Sequence, residues 1–141
     1  MFSKACKYGI RAVLYLAVKS SEATKLGARE IAEELDVPKP FLAKILQQLS
    51  RHNLISSSKG TGGGFYLSPN DRETTLRDII ECIDGEEMFS ACILGLPVCS
   101  SENPCPLHAK ALVYRQGVAD LVANNTIDDF AAKIIRKKLS L

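Results

Sequence analysis

The run Lys59-Gly60-Thr61-Gly62-Gly63-Gly64 constrains this chain more than any other segment. Four glycines in five residues permit a turn that only glycine-rich backbone makes. On either side, Leu54-Ile55-Ser56-Ser57-Ser58 and Phe65-Tyr66-Leu67 read as short strands, so a β-hairpin is expected here. The run is not a phosphate loop of the Walker type, because it lacks the Gly-Lys-Ser/Thr ending and the following helix.

What precedes the hairpin has helical period. From Lys4 to Lys19, Ile10, Val13, Leu14 and Ala17 recur on one side, with Lys7 and Arg11 on another. Ala28 to Leu35 carries Ile31, Ala32 and Leu35 on one stripe. Asp36-Val37-Pro38-Lys39-Pro40 then interrupts, and Phe41, Leu42, Ile45, Leu46 and Leu49 resume the period to about His52. Two short helices joined by a tight turn are expected. After the hairpin, Thr75-Leu76-Arg77-Asp78 has capping-box spacing, so a fourth helix begins near Thr75 and ends at Asp84-Gly85. A stretch broken by Gly95, Pro97, Asn103, Pro104 and Pro106 reads as loop. From Leu107, the positions Leu107, Ala111, Tyr114, Val118 and Leu121 alternate by four and three, a coiled-coil seam better suited to a second subunit than to the chain's own domain. A last helix starts at Thr126 with Phe130, Ala131 and Ile134 and ends in Arg136-Lys137-Lys138, cations that suit its dipole. The expected fold is mostly α with a small β-hairpin wing: a winged helix-turn-helix over 1–84, a cysteine-bearing loop over 85–106, and a long dimerisation helix with a C-terminal helix over 107–141.

With 141 residues, 46% of them hydrophobic, the chain can bury a real core. No apolar run reaches the roughly 20 residues of a membrane helix, and Met1-Phe2-Ser3-Lys4 lacks the features of a signal peptide, so a cytoplasmic protein without a membrane partner is expected. Residues 1–70 carry ten Lys or Arg against five Asp or Glu, while residues 71–141 carry eight against eleven. A basic half of this kind is drawn to a polyanion. Helix, helix-turn-helix and wing in that order make the polyanion double-stranded DNA, with the second helix of the pair in the major groove. Lys39, Lys44 and Gln47 lie on the polar side of that helix, and Phe41 stands among them at its start while counting with the apolar side. Gln47 can read a base edge, and the lysines can do so or neutralise phosphate. Lys59, Gly60, Thr61, Gly62 and Gly63 form the candidate wing contact, a charge beside unobstructed backbone amides.

Five cysteines in a reducing compartment suggest metal ligands or reactive thiols rather than a disulfide framework. Three of them, Cys92, Cys99 and Cys105, share one short segment, and His108 follows three residues later. Three thiolates and an imidazole hold zinc or an iron-sulfur cluster. Gaps of six and five residues exceed the usual spacing of structural zinc pairs and favour a cluster; thiols that sense oxidation without metal are the third reading. Cys6 and Cys82 are expected in the core. An electron-transfer or thiol-redox enzyme is disfavoured by the absence of Cys-x-x-Cys and of a nucleotide fingerprint, with only His52 and His108 available as bases.

Lys4 to Arg11 with Lys7-Tyr8, the helix-turn-helix, Leu54 to Ser57 leading into Gly60 to Phe65, Leu76-Arg77-Asp78-Ile79-Ile80, and three cysteines before a long helix together resemble the Rrf2 family of winged-helix regulators, of the IscR and NsrR kind. The resemblance spans nearly the whole chain. It implies a homodimer made through the long helix, bound to a palindromic operator by two recognition helices and two wings and controlled as a repressor by an iron-sulfur cluster, two-iron or four-iron. IscR-like members use three cysteines and a histidine three residues after the last, which matches Cys92, Cys99, Cys105 and His108. NsrR-like members take an acid from the first helix of the other subunit, and the matching stretch here, Cys6-Lys7-Tyr8, has none. Where IscR carries Glu-Gln in the recognition helix, this chain has Ala43-Lys44, so its operator need not be the same.

Overall fold

The structure, a computed structural model, describes residues 1–138, 140 and 141. In chain order it contains α1 (Lys4–Lys19), α2 (Ala28–Leu35), α3 (Lys39–Arg51), β1 (Ser56–Ser58), β2 (Gly64–Tyr66), α4 (Leu76–Asp84), α5 (His108–Ala123) and α6 (Ile127–Lys137). Single 3-10 turns lie at Asp71–Glu73 and Glu86–Phe89. Polar side chains set the helix starts. Ser3 accepts the Cys6 amide at the head of α1, and Thr75 with Asp78 and Thr126 with Asp129 close complete capping boxes on α4 and α6.

The break between α2 and α3 is shorter than the two prolines suggest. Asp36 ends α2 in the left-handed region at φ 54°, Pro38 caps α3, and the helix begins at Lys39 rather than after Pro40. Pro40 lies in the first turn, where its missing N–H costs no hydrogen bond. The strands are likewise trimmed: β1 pairs antiparallel with β2 only from Ser56↔Tyr66 to Ser58↔Gly64. Leu54 and Ile55 are drawn inward instead and pack with the core. At the base of the hairpin, Leu26 and Phe65 exchange backbone hydrogen bonds of 2.9 and 2.8 Å, adding the α1–α2 connection as a third, one-residue edge.

One main core joins α1, α2, α3, α4 and the C-terminal helix through Val13, Leu16, Ile31, Leu42, Leu46, Leu49, Leu67, Ile79 and Ile127. Each such side chain contributes on the order of 1.5–3 kcal/mol by leaving water. Ile127 and Ala131 carry α6 back onto α1, and Arg72 fastens the return by donating to Ala17 O, Ser20 O and Asp128 Oδ1. Buried Asp71 accepts from Ser56 Oγ at 2.6 Å and Ser68 N at 2.9 Å, which ties the hairpin to the helical body. A smaller cluster of Cys6, Ile80 and Val122 lets α5 rest on α1 and α4, with Met88 and Phe89 of the 3-10 turn packed against it.

The coiled-coil seam divides on α5. Ala111 is buried and Val118 half-buried, but Leu107, Tyr114 and Leu121 are exposed, together with Val113. The inward stripe is His108, Ala111, Arg115, Val118 and Val122, because the floor offered by α4 and the 3-10 turn lies under that face. No helix among the described residues is long and apolar enough to cross a membrane.

Candidate nucleic-acid face and thiol centre

Leu42, Ile45, Leu46 and Leu49 bury one side of α3 and thereby turn Lys39, Lys44 and Gln47 to solvent. The sequence placed Phe41 with the apolar side, yet it is 44% exposed, its ring meeting Tyr8 edge-on at 5.6 Å. At the head of the helix it lies beyond the floor of the core, so it forms part of the outer surface with Lys39. Gln48 donates to Cys82 O at 2.8 Å and Ser50 contacts Ser57 at 3.0 Å, which fixes α3 against α4 and β1.

Between α3 and the hairpin lies a cleft of about 350 Å³ lined by Gln47, Ser50, Arg51, Ser57, Ser58, Lys59, Gly64 and Phe65. It joins the two regions that the sequence singled out separately. Lys59, Gly60, Thr61 and Gly62 are exposed at the tip, with φ of 87° at Gly60 and 75° at Gly62, while Gly63 is half-buried against the backbone of Ser58 and Gly60. Arg51 and the three serines were not singled out by the sequence pattern as part of this face. Arg51 follows Lys44 by seven and Gln47 by four, a helical spacing that could have placed it on the same face.

The other candidate centre hangs between α4 and α5. Gly95, at φ 70°, turns the chain so that its amide donates to Cys92 O at 2.9 Å. A second turn at Ser100 to Asn103 reverses it, and the His108 amide donates to Cys105 O at 3.0 Å as α5 begins. These turns bring the three Sγ atoms within 4.8 Å of one another, Cys92 and Cys105 being 3.8 Å apart. Cys99 Sγ lies 3.3 Å from His108 Nδ1, so all four sequence candidates converge. The other two cysteines stay away: Cys6 is fully buried, and Cys82 packs against the main core.

The thiols differ in chemistry. Amides of Leu96 and Leu94 stabilise the Cys92 thiolate, helped by the Cys99 and Cys105 thiols, and bring it down to about 7. At Cys99 the Cys105 amide pulls downward, but desolvation and the neighbouring sulfurs prevail and raise it. Cys6 is pushed up to about 12 by burial and by the adjacent Asp84 carboxylate. A lowered value leaves Cys92 substantially ionised at neutral pH, and the thiolate is the nucleophile. In metal-free protein, iodoacetamide at pH 7.5 is therefore expected to modify Cys92 first and to leave Cys6 untouched until denaturant is added. Peptide mapping checks the order, and early labelling of Cys6 would contradict the packing around it.

The donor set fits a soft metal centre. Thiolates around a tetrahedral metal at about 2.3 Å stand roughly 3.8 Å apart, the spacing found between Cys92 and Cys105. Among the described residues, the buried side-chain nitrogens without an acceptor are His108 Nε2 and Arg115 Nε, both on the inward stripe of α5. Unsatisfied groups of this kind concentrate where a ligand, ion or water completes a site.

Comparison with known proteins finds transcriptional regulators. The family profile described as Rrf2, iron-dependent transcriptional regulator, matches residues 2–133. A candidate HTH-type transcriptional regulator of Aquifex aeolicus is 34% identical over 131 residues, covering 92% of this chain and 90% of its own. The transcriptional repressor NsrR of Streptomyces coelicolor is 26% identical over 113 residues, covering 80% of this chain and 72% of its own. Among solved structures, IscR of T. potens superposes with a TM-score of 0.76 at 20% identity, covering 100% of this chain and 93% of its own. CymR, the global cysteine regulator of B. subtilis, superposes with a TM-score of 0.73 at 24% identity, covering 94% and 97%.

Proposed function

Because this chain belongs to the Rrf2 family of DNA-binding transcriptional regulators, which are not enzymes, we propose that it controls transcription through an iron-sulfur cluster held by Cys92, Cys99, Cys105 and His108. The observation that carries the reading is the convergence of three sulfurs within 4.8 Å beside an imidazole, at the junction between the winged helix and α5. The long gaps between the cysteines suit a centre larger than one ion, and the relatives named IscR and NsrR support the same reading. The bound group supplies iron chemistry that responds to redox state or iron supply.

The chain's own residues provide the rest. Lys39, Phe41, Lys44 and Gln47 present the major-groove surface, and Lys59 with Gly60 to Gly63 presents the wing to the backbone or minor groove. The exposed stripe of Leu107, Val113, Tyr114 and Leu121 meets its counterpart in a second subunit, giving a cytoplasmic homodimer suited to a palindromic operator that it represses. Ordering of the 92–105 segment sets the start of α5 and hence the separation of the two recognition helices. The centre shifts that equilibrium only by being bound more strongly in one dimer arrangement than in the other.

The contact of 3.8 Å between Cys92 and Cys105 supports a second reading, a single zinc ion in a tetrahedral site. Protein isolated without oxygen separates the two. A cluster gives a brown protein with matching iron and sulfide and an operator affinity that changes when the cluster is lost. A colourless protein with one zinc per chain overturns the cluster. In either case the operator should be held at least about a thousandfold more tightly than random duplex, with affinity falling steeply as salt rises.

A further inference from the structure

Arg115 is the one long cation on the inward stripe of α5. It follows His108 by seven residues, so the two share a face about 10.5 Å apart along the axis. Helical side chains lean toward the N-terminus, which carries the guanidinium back toward the thiol loop. There its Nη1 donates to the carbonyl of Ala91, the residue immediately before Cys92. Its Nε is buried and meets no acceptor among the described residues. The surrounding cavity, about 440 Å³, is walled by Met88, Phe89, Ile93, Tyr114 and Val118 and has Cys92 on its edge. Among the described residues, no carboxylate lines it. A half-buried guanidinium against apolar walls with one buried, unpaired N–H calls for an anionic acceptor.

We propose that Arg115 is a positioning residue for the metal centre: it pins the backbone at Ala91 through Nη1 and offers its Nε–H and charge to the sulfur that Cys92 contributes. This assignment rests on the cluster reading above. Three thiolates give such a centre excess negative charge, and reduction adds one electron more. A neighbouring cation with an N–H donor favours the reduced form, as hydrogen bonds to cluster sulfur do generally. Arg115 therefore raises the reduction potential.

The test is a potentiometric titration of the full-length anaerobic protein, followed by visible absorbance, for wild type, Arg115→Gln and Arg115→Lys. Arg115→Gln is expected to disfavour reduction by about tenfold, a fall of about 59 mV for a one-electron couple. Arg115→Lys, which keeps the charge without the planar fork, should fall in between. A purely structural role would reduce the fraction of protein that loads and leave the potential of the loaded fraction unchanged. If Arg115→Gln loads no cluster at all, the lysine variant decides by the same measurement. Wild-type potential in every variant that loads overturns the role of Arg115 alone, whereas a wild type that assembles no cluster overturns both it and the cluster reading.

Discussion

Cys99→Ala is expected to abolish the visible absorbance of the anaerobic protein and to leave operator binding unresponsive to iron. Cys99 links the loop to α5, its sulfur lying 3.3 Å from His108 Nδ1 and within 4.8 Å of the other two thiols. Removing it leaves two sulfurs and an imidazole, and no other cysteine can move in, because Cys6 and Cys82 are held in the two apolar clusters. The loss should exceed the roughly 10–100-fold drop in metal affinity that follows removal of an outer partner. Stability should change little, within about 0.5 kcal/mol for the metal-free protein, since Cys99 lies outside both cores. Cys82→Ala supplies the control: it should keep full colour while losing some stability. Full absorbance in Cys99→Ala would remove this residue from the ligand set.

Gly64→Ala should cost about 2–4 kcal/mol and lower the melting temperature by on the order of 10 °C. At Gly64 φ is 145°, where L side chains are strained, and an added Cβ would stand 2.8 Å from Leu26 O and 2.9 Å from Leu26 C. Those atoms are backbone, fixed by the paired hydrogen bonds between Leu26 and Phe65, so no rotamer change relieves the contact. Pushing the strand away frees the wing that carries Lys59, and operator affinity should fall with stability. Gly60→Ala is the comparison. At φ 87° it is also strained, but among the described residues nothing lies within 4 Å of an added Cβ, so only the conformational cost of about 1 kcal/mol applies. Equal melting curves for the two variants would show that Leu26 does not fix the hairpin.

Much of this architecture was legible from local pattern. The bounds of α1, α2 and α4 follow from apolar period and caps, and the hairpin follows from its glycines. The solvent-facing side of α3 was legible for the same reason, since its apolar residues all fall on one side. Phe41 was the exception: periodicity counts a residue as inward without knowing that the core ends before it. On α5 the pattern was ambiguous in a deeper way. Apolar residues occur around most of that helix, so a heptad seam and the true inward stripe can both be drawn, and only contact with α4 and the 3-10 turn selects between them.

By itself, the sequence determined that this chain forms a winged helix and marked Cys92, Cys99, Cys105 and His108 as a candidate ligand set, because both are matters of residue type and short-range spacing. The tertiary structure decided which thiols stand together, that Cys6 is out of reach, that α3 and the hairpin line one cleft, and that Arg115 and Cys92 line one cavity. Those facts depend on elements far apart in the chain coming to rest on a common core. Such packing follows from shape and buried area, neither of which the period of a single helix records.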